Sequence, residues 1–510
     1  MAFANSSLVE TGASLDADIC IVGAGPVGLA VAIELADAGR RVVLLESGGL
    51  SRKTGSAAEA DGAQGFGGTR WYGRLVKPGA IDFEERPWVP LSGWPVSRLE
   101  VESRYARAAQ FLGVTHSDAL EPEFWQDDSV YQALSGGGVV AVPHLFTASK
   151  DLGRRYQRLA ASSSRLTVLL DATVVGIDVD STSGTVTGLR VRSPGGRRFA
   201  SRASRYVLAC GGSENARLLL ILIAERPGVL GRSSDVVGRY YMNHVRTDGA
   251  ARLRLDPTHP NYVQLYRRLT EGPSVRSRCR TQVAFTLDER VQRSEGLLNA
   301  CAFFYPSSTP RVAELSAHVR RLQRDATSRS LGQPAVESVA RLARELPLLA
   351  QVGLARLRRR PFAVESLVMV EQLEQVPDAE SRLVLGGERD QFDRPRLRVP
   401  FRVDEATRRT ERRFHQLIAE RIDHARIGRL KSQLGDPNSQ PIYGDASHPM
   451  GTTRMSIDPR LGVVDPHGRV HGLENLYVAG SSILPTGGQA NPTLTIVALA
   501  MRLADSLRDQ

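Results

Sequence analysis

Residues 18–28 read DICIVGAGPVG, a short apolar strand that runs directly into three glycines spaced as GxGxxG. A helical run from Leu29 to Ala38 follows, so the order is strand, glycine turn, helix. In such a unit the first glycine permits a tight turn, the second lets the backbone approach a pyrophosphate, and the third lets helix and strand pack closely. These roles fall to Gly23, Gly25 and Gly28. The stretch predicts an α/β fold, α+β overall, built on a Rossmann-type dinucleotide-binding unit.

A second strand, residues 41–45, ends at Glu46, which lies 18 residues past Gly28. An acid at that strand end suits bidentate hydrogen bonding to ribose hydroxyls and disfavours a 2'-phosphate. FAD is favoured over NAD because the unit lies at the N-terminus and further glycines follow in ESGG (46–49) and GFGGT (65–69). A flavin dinucleotide is long and needs backbone contacts beyond the first βαβ unit.

A second close approach of backbone to the nucleotide is predicted where the strand-like run YVLAC (206–210) ends at Gly211 and a helix begins near Glu214. Since GxGxxG does not recur after another strand in the sequence, no separate NAD(P)H site is indicated. The flavin is then most simply reduced by the substrate itself.

The C-terminal region carries a histidine in SHPMGTTRM (447–455) and an asparagine in ANPTLT (490–495), His448 and Asn491. Between them a strand, residues 476–480, could return the chain so that both side chains face one point. A neutral imidazole can take a hydroxyl proton, and a carboxamide can hold the same oxygen. The alternative is structural, with His448 capping a turn and Asn491 capping a helix.

These segments resemble the glucose-methanol-choline (GMC) oxidoreductases, and within them bacterial enzymes similar to pyranose and glycoside oxidases. The motifs that carry the resemblance are ESGG (46–49), GWPV (93–96), VGRYYM (237–242), HPMGT (448–452) and ANPT (490–493). It covers residues 16–105, 205–244 and 441–507, with a weaker stretch at 373–401.

The resemblance implies that His448 is the base, that Asn491 is its partner, and that a hydride passes from the alcohol carbon to the flavin. Because residues 65–75 contain no histidine, we expect FAD to be bound non-covalently. The expected cofactor contacts are Gly23, Gly25, Gly28, Glu46, Gly48, Gly67, Gly68, Thr69, Val174, Gly211, Ala479, Gly480, Asn491 and Thr493.

The expected reaction is oxidation of a secondary alcohol on a sugar or glycoside to a ketone, with O2 as acceptor. One alternative keeps the flavin and changes the acceptor or substrate: a dehydrogenase delivering to a quinone or carrier, or a sterol or aliphatic alcohol oxidase. A second alternative is a non-catalytic flavin-binding subunit. The presence of both His448 and Asn491 argues against that alternative, because a scaffold needs neither.

The expected FAD-binding domain is discontinuous and comprises residues 16–111, 167–243 and 441–507, while residues 112–166 and 244–440 form the substrate side. Strands at 166–170, 172–177 and 186–191 are predicted to form a meander beside the nucleotide, with Val174 near the adenine. Runs at 282–287, 300–305 and 366–371 predict an antiparallel sheet that caps the flavin.

Two further side chains, His244 and Asp445, are weaker candidates for the active site. His244 follows a strand-forming run, and in that position a histidine is more often structural than catalytic. Asp445 could accept a hydrogen bond from His448 and orient it. His448 and Asn491 therefore remain the expected catalytic residues.

Length and composition, 510 residues with 42% hydrophobic content, suit a globular enzyme of two or three core regions. The four cysteines show no metal spacing, and we expect them to be reduced and buried, with no metal bound. Residues 1–15 lack a basic segment and an apolar segment, and no transmembrane helix is indicated, so the expected location is cytoplasmic.

The formal net charge is +11, and residues 311–360 contain eleven arginines against four acidic residues. A solvated face of helices is the first explanation of this basic segment. An oligomer arm or a lid over the substrate entrance comes next, and contact with anionic membranes is third. Nucleic acid is not an expected partner because no recognised module frames the charge.

Overall fold

The computed structural model of the protein describes residues 3–50, 65–68, 73–147, 151–180, 182–270, 272–273, 279–308, 345–358, 364–399, 401–434 and 442–509. The described part contains two large sheets and a two-stranded hairpin. The helices are α1 (Pro26–Asp37), α2 (Arg98–Glu102), α3 (Tyr105–Phe111), α4 (Ser129–Leu134), α5 (Leu152–Ser162), α6 (Glu214–Glu225), α7 (Tyr262–Leu269), α8 (Glu289–Glu295), α9 (Leu346–Arg358), α10 (Glu405–His424) and α11 (Thr493–Arg508).

The first sheet is built around the strand that precedes the glycine turn. Its strands are β1 (Phe3–Asn5), β2 (Ser14–Val22), β3 (Val42–Leu45), β6 (Leu166–Leu170), β7 (Thr173–Asp180), β8 (Thr185–Arg192), β9 (Arg198–Leu208) and β19 (Leu476–Val478). They lie in the order β1-β6-β3-β2-β9-β8-β7, and β19 also pairs with β9. The central strand β2 pairs in parallel with β3 and β9, so both of its edges are hydrogen-bonded, and Ile19 to Val22 at its apolar end are buried. This confirms the predicted Rossmann-type unit.

Helix α1 follows the glycine turn and is buried along most of its length, against β2, β3 and the C-terminal helix α11. Pro26 lies at its first position, where the missing N–H costs nothing. Nine of its residues are buried, which explains why the run is apolar on nearly every side. The two ends of the chain therefore meet at the helix that begins at the glycine turn.

The predicted meander of 166–170, 172–177 and 186–191 is wrong in its first strand. β6 pairs in parallel with β3 and β1 at the far side of the sheet, whereas β7, β8 and β9 form the antiparallel meander. Only Asp171, with a left-handed φ of 55°, and Ala172 separate β6 from β7. Both donate backbone hydrogen bonds to the Glu46–Gly48 turn, which carries the chain across the ends of the parallel strands.

The second sheet is antiparallel, as predicted. Its strands are β4 (Arg74–Leu75), β5 (Val139–Phe146), β10 (Val245–Leu255), β11 (Gly272–Pro273), β12 (Arg280–Leu287), β13 (Ala300–Ser308), β14 (Val364–Leu373), β17 (Gly428–Ser432) and β18 (Tyr443–Asp445). The order is β17-β10-β14-β13-β12-β5-β4, with β11 beside β12 and β18 beside β10. A separate hairpin pairs β15 (Val384–Arg389) with β16 (Pro395–Arg398). The assignment of chain segments to domains stays a prediction.

Most of the basic segment lies outside the described residues, at 311–344 and 359–360; its described part is Glu345 and helix α9. Within the described ranges, no helix combines the length and the apolar character needed to cross a membrane. All four cysteines are free thiols, as expected, but only Cys20 and Cys301 are buried. Cys210 and Cys279 are partly exposed, which corrects the expectation for that pair.

Candidate active site

The three glycines of the first turn have the separate roles that their spacing predicts. At Gly23, φ is +98° and an added Cβ would lie 2.6 Å from the carbonyl oxygen of Ala209. At Gly28 a Cβ would lie 1.9 Å from the carbonyl oxygen of Gly23, so the absence of a side chain allows close packing. At Gly25, the N-cap of α1, a Cβ would meet nothing within 4 Å and would project into open space.

That space is a cavity of about 540 Å³ bordered by the ends of the parallel strands. Seven of the predicted cofactor contacts line it: Gly23, Gly25, Glu46, Gly68, Val174, Gly211 and Gly480. The cavity also reaches Pro449, the residue after His448, and Ile496 in the C-terminal helix. The dinucleotide cavity and the C-terminal motif are therefore neighbours.

Several other predicted cofactor contacts do not line the cavity. A Cβ on Gly48 would lie 2.5 Å from the Gly65 nitrogen, and one on Gly67 would lie 2.1 Å from the Gly153 nitrogen, so both glycines serve packing. Ala479 is buried, and its carbonyl accepts a hydrogen bond from Asn215. Thr493 is the first residue of α11. Thr69 lies outside the described residues.

The carboxylate of Glu46 holds the glycine turn and also faces the cavity. Its two oxygens accept hydrogen bonds from the backbone N–H groups of Ala24, at 2.8 Å, and Gly48, at 2.7 Å. Burial raises the pKa of Glu46, and the backbone donors partly offset that rise. Each carboxylate oxygen can accept a second hydrogen bond, so the side chain can still receive hydroxyl donors from a ligand.

Sequence reasoning missed the part of the cavity wall that comes from the β15–β16 hairpin and helix α6. Arg394 and Arg217 both line the cavity and both bind the buried carboxylate of Asp390, at 2.8 Å and 2.9 Å. Arg394 also donates to the carbonyl oxygen of Val174. No glycine motif marks these residues, and only the fold brings the hairpin to the cavity.

These features fit an adenine dinucleotide with a flavin. The open space over Gly25 at a helix N-terminus suits a pyrophosphate, and Glu46 suits ribose hydroxyls. Gly211, where a Cβ would meet nothing within 4 Å, provides the second open stretch of backbone. FAD would therefore be held by the turn at 23–25, by Glu46 and by the backbone at Gly211 and Gly480.

His448 and Asn491 are brought together as predicted. The Asn491 side-chain nitrogen lies 3.2 Å from Nε2 of His448. The structural alternative for Asn491 is wrong, because the N-cap of α11 is Pro492 and no side chain caps that helix. The other amide atom, Oδ1, is buried and has no hydrogen-bond partner among the described residues. A buried acceptor of this kind requires a donor that the described residues do not supply.

His244, expected to be structural, is in direct contact with the base. Its Nδ1 lies 3.0 Å from Nδ1 of His448, and the two rings are almost perpendicular at 88°. Its Nε2 lies 3.2 Å and 3.1 Å from the carbonyl oxygens of Gly487 and Gly488. Carbonyl oxygens only accept, so Nε2 of His244 must carry a proton and donate it.

The hydrogen-bond pattern fixes the tautomer of His448. Burial lowers the pKa of His244, so this ring is neutral and its Nδ1 is an acceptor. His448 must then donate from its own Nδ1, which leaves the lone pair on Nε2. The Asn491 amide nitrogen, a donor, faces that lone pair. His448 thus presents an unprotonated nitrogen in the site.

Burial is also the main reason that the pKa of His448 falls to about 3. The neighbouring His244 contributes next, followed by the positive charges of Arg246 and Arg74. The ring is therefore neutral across the ordinary working range of pH and able to receive a proton.

Support for this arrangement comes from a buried ion pair. Glu374 binds Arg86 through two hydrogen bonds, at 2.8 Å and 2.7 Å, and also accepts from the backbone N–H of Gly488 at 3.0 Å. Burial alone would raise the pKa of Glu374, but Arg86 holds it well below its usual range. The pair fixes the Gly487–Gly488 turn whose carbonyls orient His244.

The expected role of Asp445 is wrong. Its side chain accepts from the backbone and hydroxyl of Ser447, and its place beside His448 is taken by His244. The backbone beside His244 is tied to the same motif, because Asn243 accepts a hydrogen bond from the His448 backbone N–H at 2.9 Å. Met242 and Met450 pair as a β-bridge, so the YYMNH and SHPMG motifs run side by side.

Comparison with known families agrees with this site. A family described as FAD dependent oxidoreductase matches residues 18–339, and the GMC oxidoreductase C-terminal family matches residues 377–500. The first match spans more than half of the chain and defines the class of protein, an FAD-dependent oxidoreductase. The chain therefore belongs to the FAD-dependent oxidoreductases, and its C-terminal region, residues 377–500, matches the GMC oxidoreductase family.

Among curated relatives, the chain is 38% identical over 109 residues to a C-glycoside 3-oxidase of Microbacterium trichothecenolyticum, covering 19% of this chain and 21% of the relative. It is 23% identical over 356 residues to the fructose dehydrogenase large subunit of Gluconobacter japonicus, covering 69% of this chain and 56% of the relative. The matches thus span about half or less of the length of these relatives.

Among solved structures, pyridoxine 4-oxidase from Mesorbium loti superposes with a TM-score of 0.58 at 16% identity, covering 97% of this chain and 99% of that one. At this identity the likeness concerns the fold. It agrees with the architecture of two large sheets described above.

Proposed function

We propose that the protein oxidises a secondary alcohol of a sugar or glycoside to a ketone at ring carbon 2 or 3, with non-covalently bound FAD and with O2 as final acceptor. The observation that carries the proposal is the unprotonated Nε2 of His448, held by His244 and Asn491 beside the dinucleotide cavity. An alcohol needs such a proton acceptor before its carbon can lose a hydride.

In this proposal the substrate hydroxyl donates to Nε2 of His448 and its oxygen accepts from the Asn491 amide nitrogen. The hydroxyl proton moves to Nε2 as the carbon–hydrogen bond breaks and the carbonyl forms. The bound flavin supplies the hydride acceptor. The imidazolium that results keeps its Nδ1–H bond to His244. With O2 as acceptor, two electrons and two protons leave the enzyme as hydrogen peroxide.

A hydroxyl-rich substrate is supported by polar side chains of the second sheet, one of which acts on His448 through its charge. Arg74, whose charge lowers the pKa of His448, donates to Gln282 at 2.8 Å and to the Tyr305 hydroxyl at 3.1 Å. Of these three residues, only Tyr305 is exposed, and its hydroxyl can exchange hydrogen bonds with a sugar hydroxyl. The C-glycoside 3-oxidase relative supports the same substrate class.

The second candidate differs in the acceptor. The relative that matches 69% of this chain is a dehydrogenase subunit, which favours delivery of electrons to a quinone or carrier instead of O2. Both candidates share the base and the hydride step.

The test is anaerobic reduction of the purified holoenzyme by a panel of pyranoses and glycosides, followed by admission of air. We expect loss of the oxidised flavin absorbance with at least one sugar and its rapid return, with hydrogen peroxide formed, when O2 enters. The matched controls are the 2-deoxy and 3-deoxy forms of the best sugar, one of which should fail to reduce the flavin. Reduction without return in air would favour the dehydrogenase, and reduction only by a sterol or simple alcohol would overturn the sugar assignment.

A further inference from the structure

A second cluster of chemically active side chains lies between helix α10 and strand β14 of the second sheet. Glu411 and His415 are four residues apart on α10 and therefore share one helix face, and Glu371 projects from β14 towards them. One ligand atom from each of the three lies within 4.8 Å of the others. All three side chains are at most 3% exposed.

The surrounding groups orient these atoms. Nε2 of His415 lies 2.9 Å from Glu371, while its Nδ1 lies 2.7 Å from the hydroxyl of Ser432. A ligating histidine commonly donates its other ring N–H to such an acceptor, which fixes the ring. Tyr443 donates to Glu411 at 2.7 Å. The cluster thus has an outer layer of hydrogen bonds that holds the ligand side chains in place.

One atom in the cluster is left without a partner. Oε2 of Glu371 is buried and forms no hydrogen bond with any described residue, although the carboxylate is fully shielded from solvent. A buried carboxylate oxygen without a donor is rare because its desolvation is not offset. A divalent cation would offset the desolvation of both buried carboxylates in their ionised form.

We propose that Glu371, Glu411 and His415 bind one divalent first-row metal ion. Two carboxylates and an imidazole are ligands that Zn²⁺ and Mn²⁺ both accept. The ion would tie α10 to the second sheet, where Glu371 pairs across the strands with Thr247 of β10. Its role is structural, because the reaction at His448 needs none of these three side chains.

This site differs from the sequence expectation of no metal. The expectation came from cysteine spacing, whereas the ligands here are carboxylates and a histidine. Glu411 and His415 on α10 supply only two ligands, and the third, Glu371, comes from a strand that is distant in sequence. The set of three ligands is therefore visible only in the folded structure.

The first experiment uses the wild-type holoenzyme, purified without a metal-affinity tag. Its metal content is measured per mole of flavin, before and after treatment with a chelator, and Zn²⁺ or Mn²⁺ alone is then added back. We expect close to one ion per chain. The melting temperature should rise by several degrees at an ion concentration of about 100 times the dissociation constant.

The second experiment compares variants of α10. E411Q and H415Q should lose the bound ion and the metal-dependent rise in melting temperature while retaining flavin. E420Q and H424Q change the same residue types at exposed positions of the same helix and should behave as wild type. A wild-type protein with neither bound metal nor a metal-dependent melting shift would overturn the proposal, as would E411Q and H415Q that keep both.

Discussion

The contact between His244 and His448 leads to a quantitative prediction about the tautomer of the base. Changing His244 to leucine removes the only acceptor observed for the His448 Nδ1–H among the described residues. A buried donor left without an acceptor costs about 1–3 kcal/mol. The variant ring avoids this cost by moving its proton to Nε2, where Oδ1 of Asn491 can accept it after the amide rotates.

The proton then occupies the atom that must receive the substrate proton. The reactive tautomer becomes the minor one by about 1–3 kcal/mol, and each 1.36 kcal/mol corresponds to about tenfold in rate. We therefore expect flavin reduction in His244→Leu to be slower by about 5-fold to 150-fold at saturating substrate. Bound flavin should be unchanged, because His244 does not line the dinucleotide cavity.

The assay is stopped-flow reduction of the flavin under anaerobic conditions, with the limiting rate constant separated from apparent substrate affinity. His244→Asn is the matched variant, since its side-chain oxygen can accept from His448 in place of the ring nitrogen. It should restore most of the rate. A His244→Leu rate within about twofold of wild type would refute the tautomer argument, and so would an asparagine variant as slow as the leucine one.

Further predictions concern the base, its pH dependence and the cofactor. His448→Ala should slow flavin reduction by about two orders of magnitude or more with FAD still bound, and equal rates in wild type and His448→Ala would contradict the assignment. Asn491→Ala should slow flavin reduction less, because the amide positions the substrate oxygen without taking the proton. Because the pKa of His448 is lowered to about 3, its basic form is present above that pH and lost below it. The limiting rate constant for flavin reduction should therefore show no ionisation between about pH 5 and 8. A step in that rate constant near pH 6.5 would argue against the assigned base. Glu46→Gln should weaken FAD retention and leave reduction of the reconstituted enzyme nearly intact, as measured by flavin titration; unchanged affinity would move the ribose contact elsewhere. Acid or heat should release FAD into the supernatant, whereas flavin that stays with the precipitate would show a covalent bond.

Local sequence patterns were sufficient wherever neighbouring residues decide the outcome. The turn at Gly23, Gly25 and Gly28 is predictable because sterics of the adjoining strand and helix require glycine there. The position of Glu46 is predictable because it ends the strand next to the glycine turn, and the ends of neighbouring parallel strands face the same cavity. The apolar runs of the second sheet were likewise located to within a few residues.

Predictions failed where the partner of a segment lies far along the chain. The strand at Leu166–Leu170 has an apolar pattern that suits either neighbour, and only the assembled sheet places it beside β3. Asp445 was the nearest acid in sequence to His448, yet the ring turns to His244. Nearness along the chain is a weak guide to which side chain completes a buried hydrogen bond.

The sequence by itself determined the dinucleotide-binding unit, because its glycine turn has a fixed local geometry, and its short motifs indicated the family and, through that resemblance, His448 and Asn491. Only the tertiary structure decided which nitrogen of His448 is unprotonated. That depends on the carbonyls of Gly487 and Gly488, on their support by Glu374, and on a ring more than two hundred positions away in the chain. A tautomer is a property of the hydrogen-bond network, and the network exists only once the strands have paired.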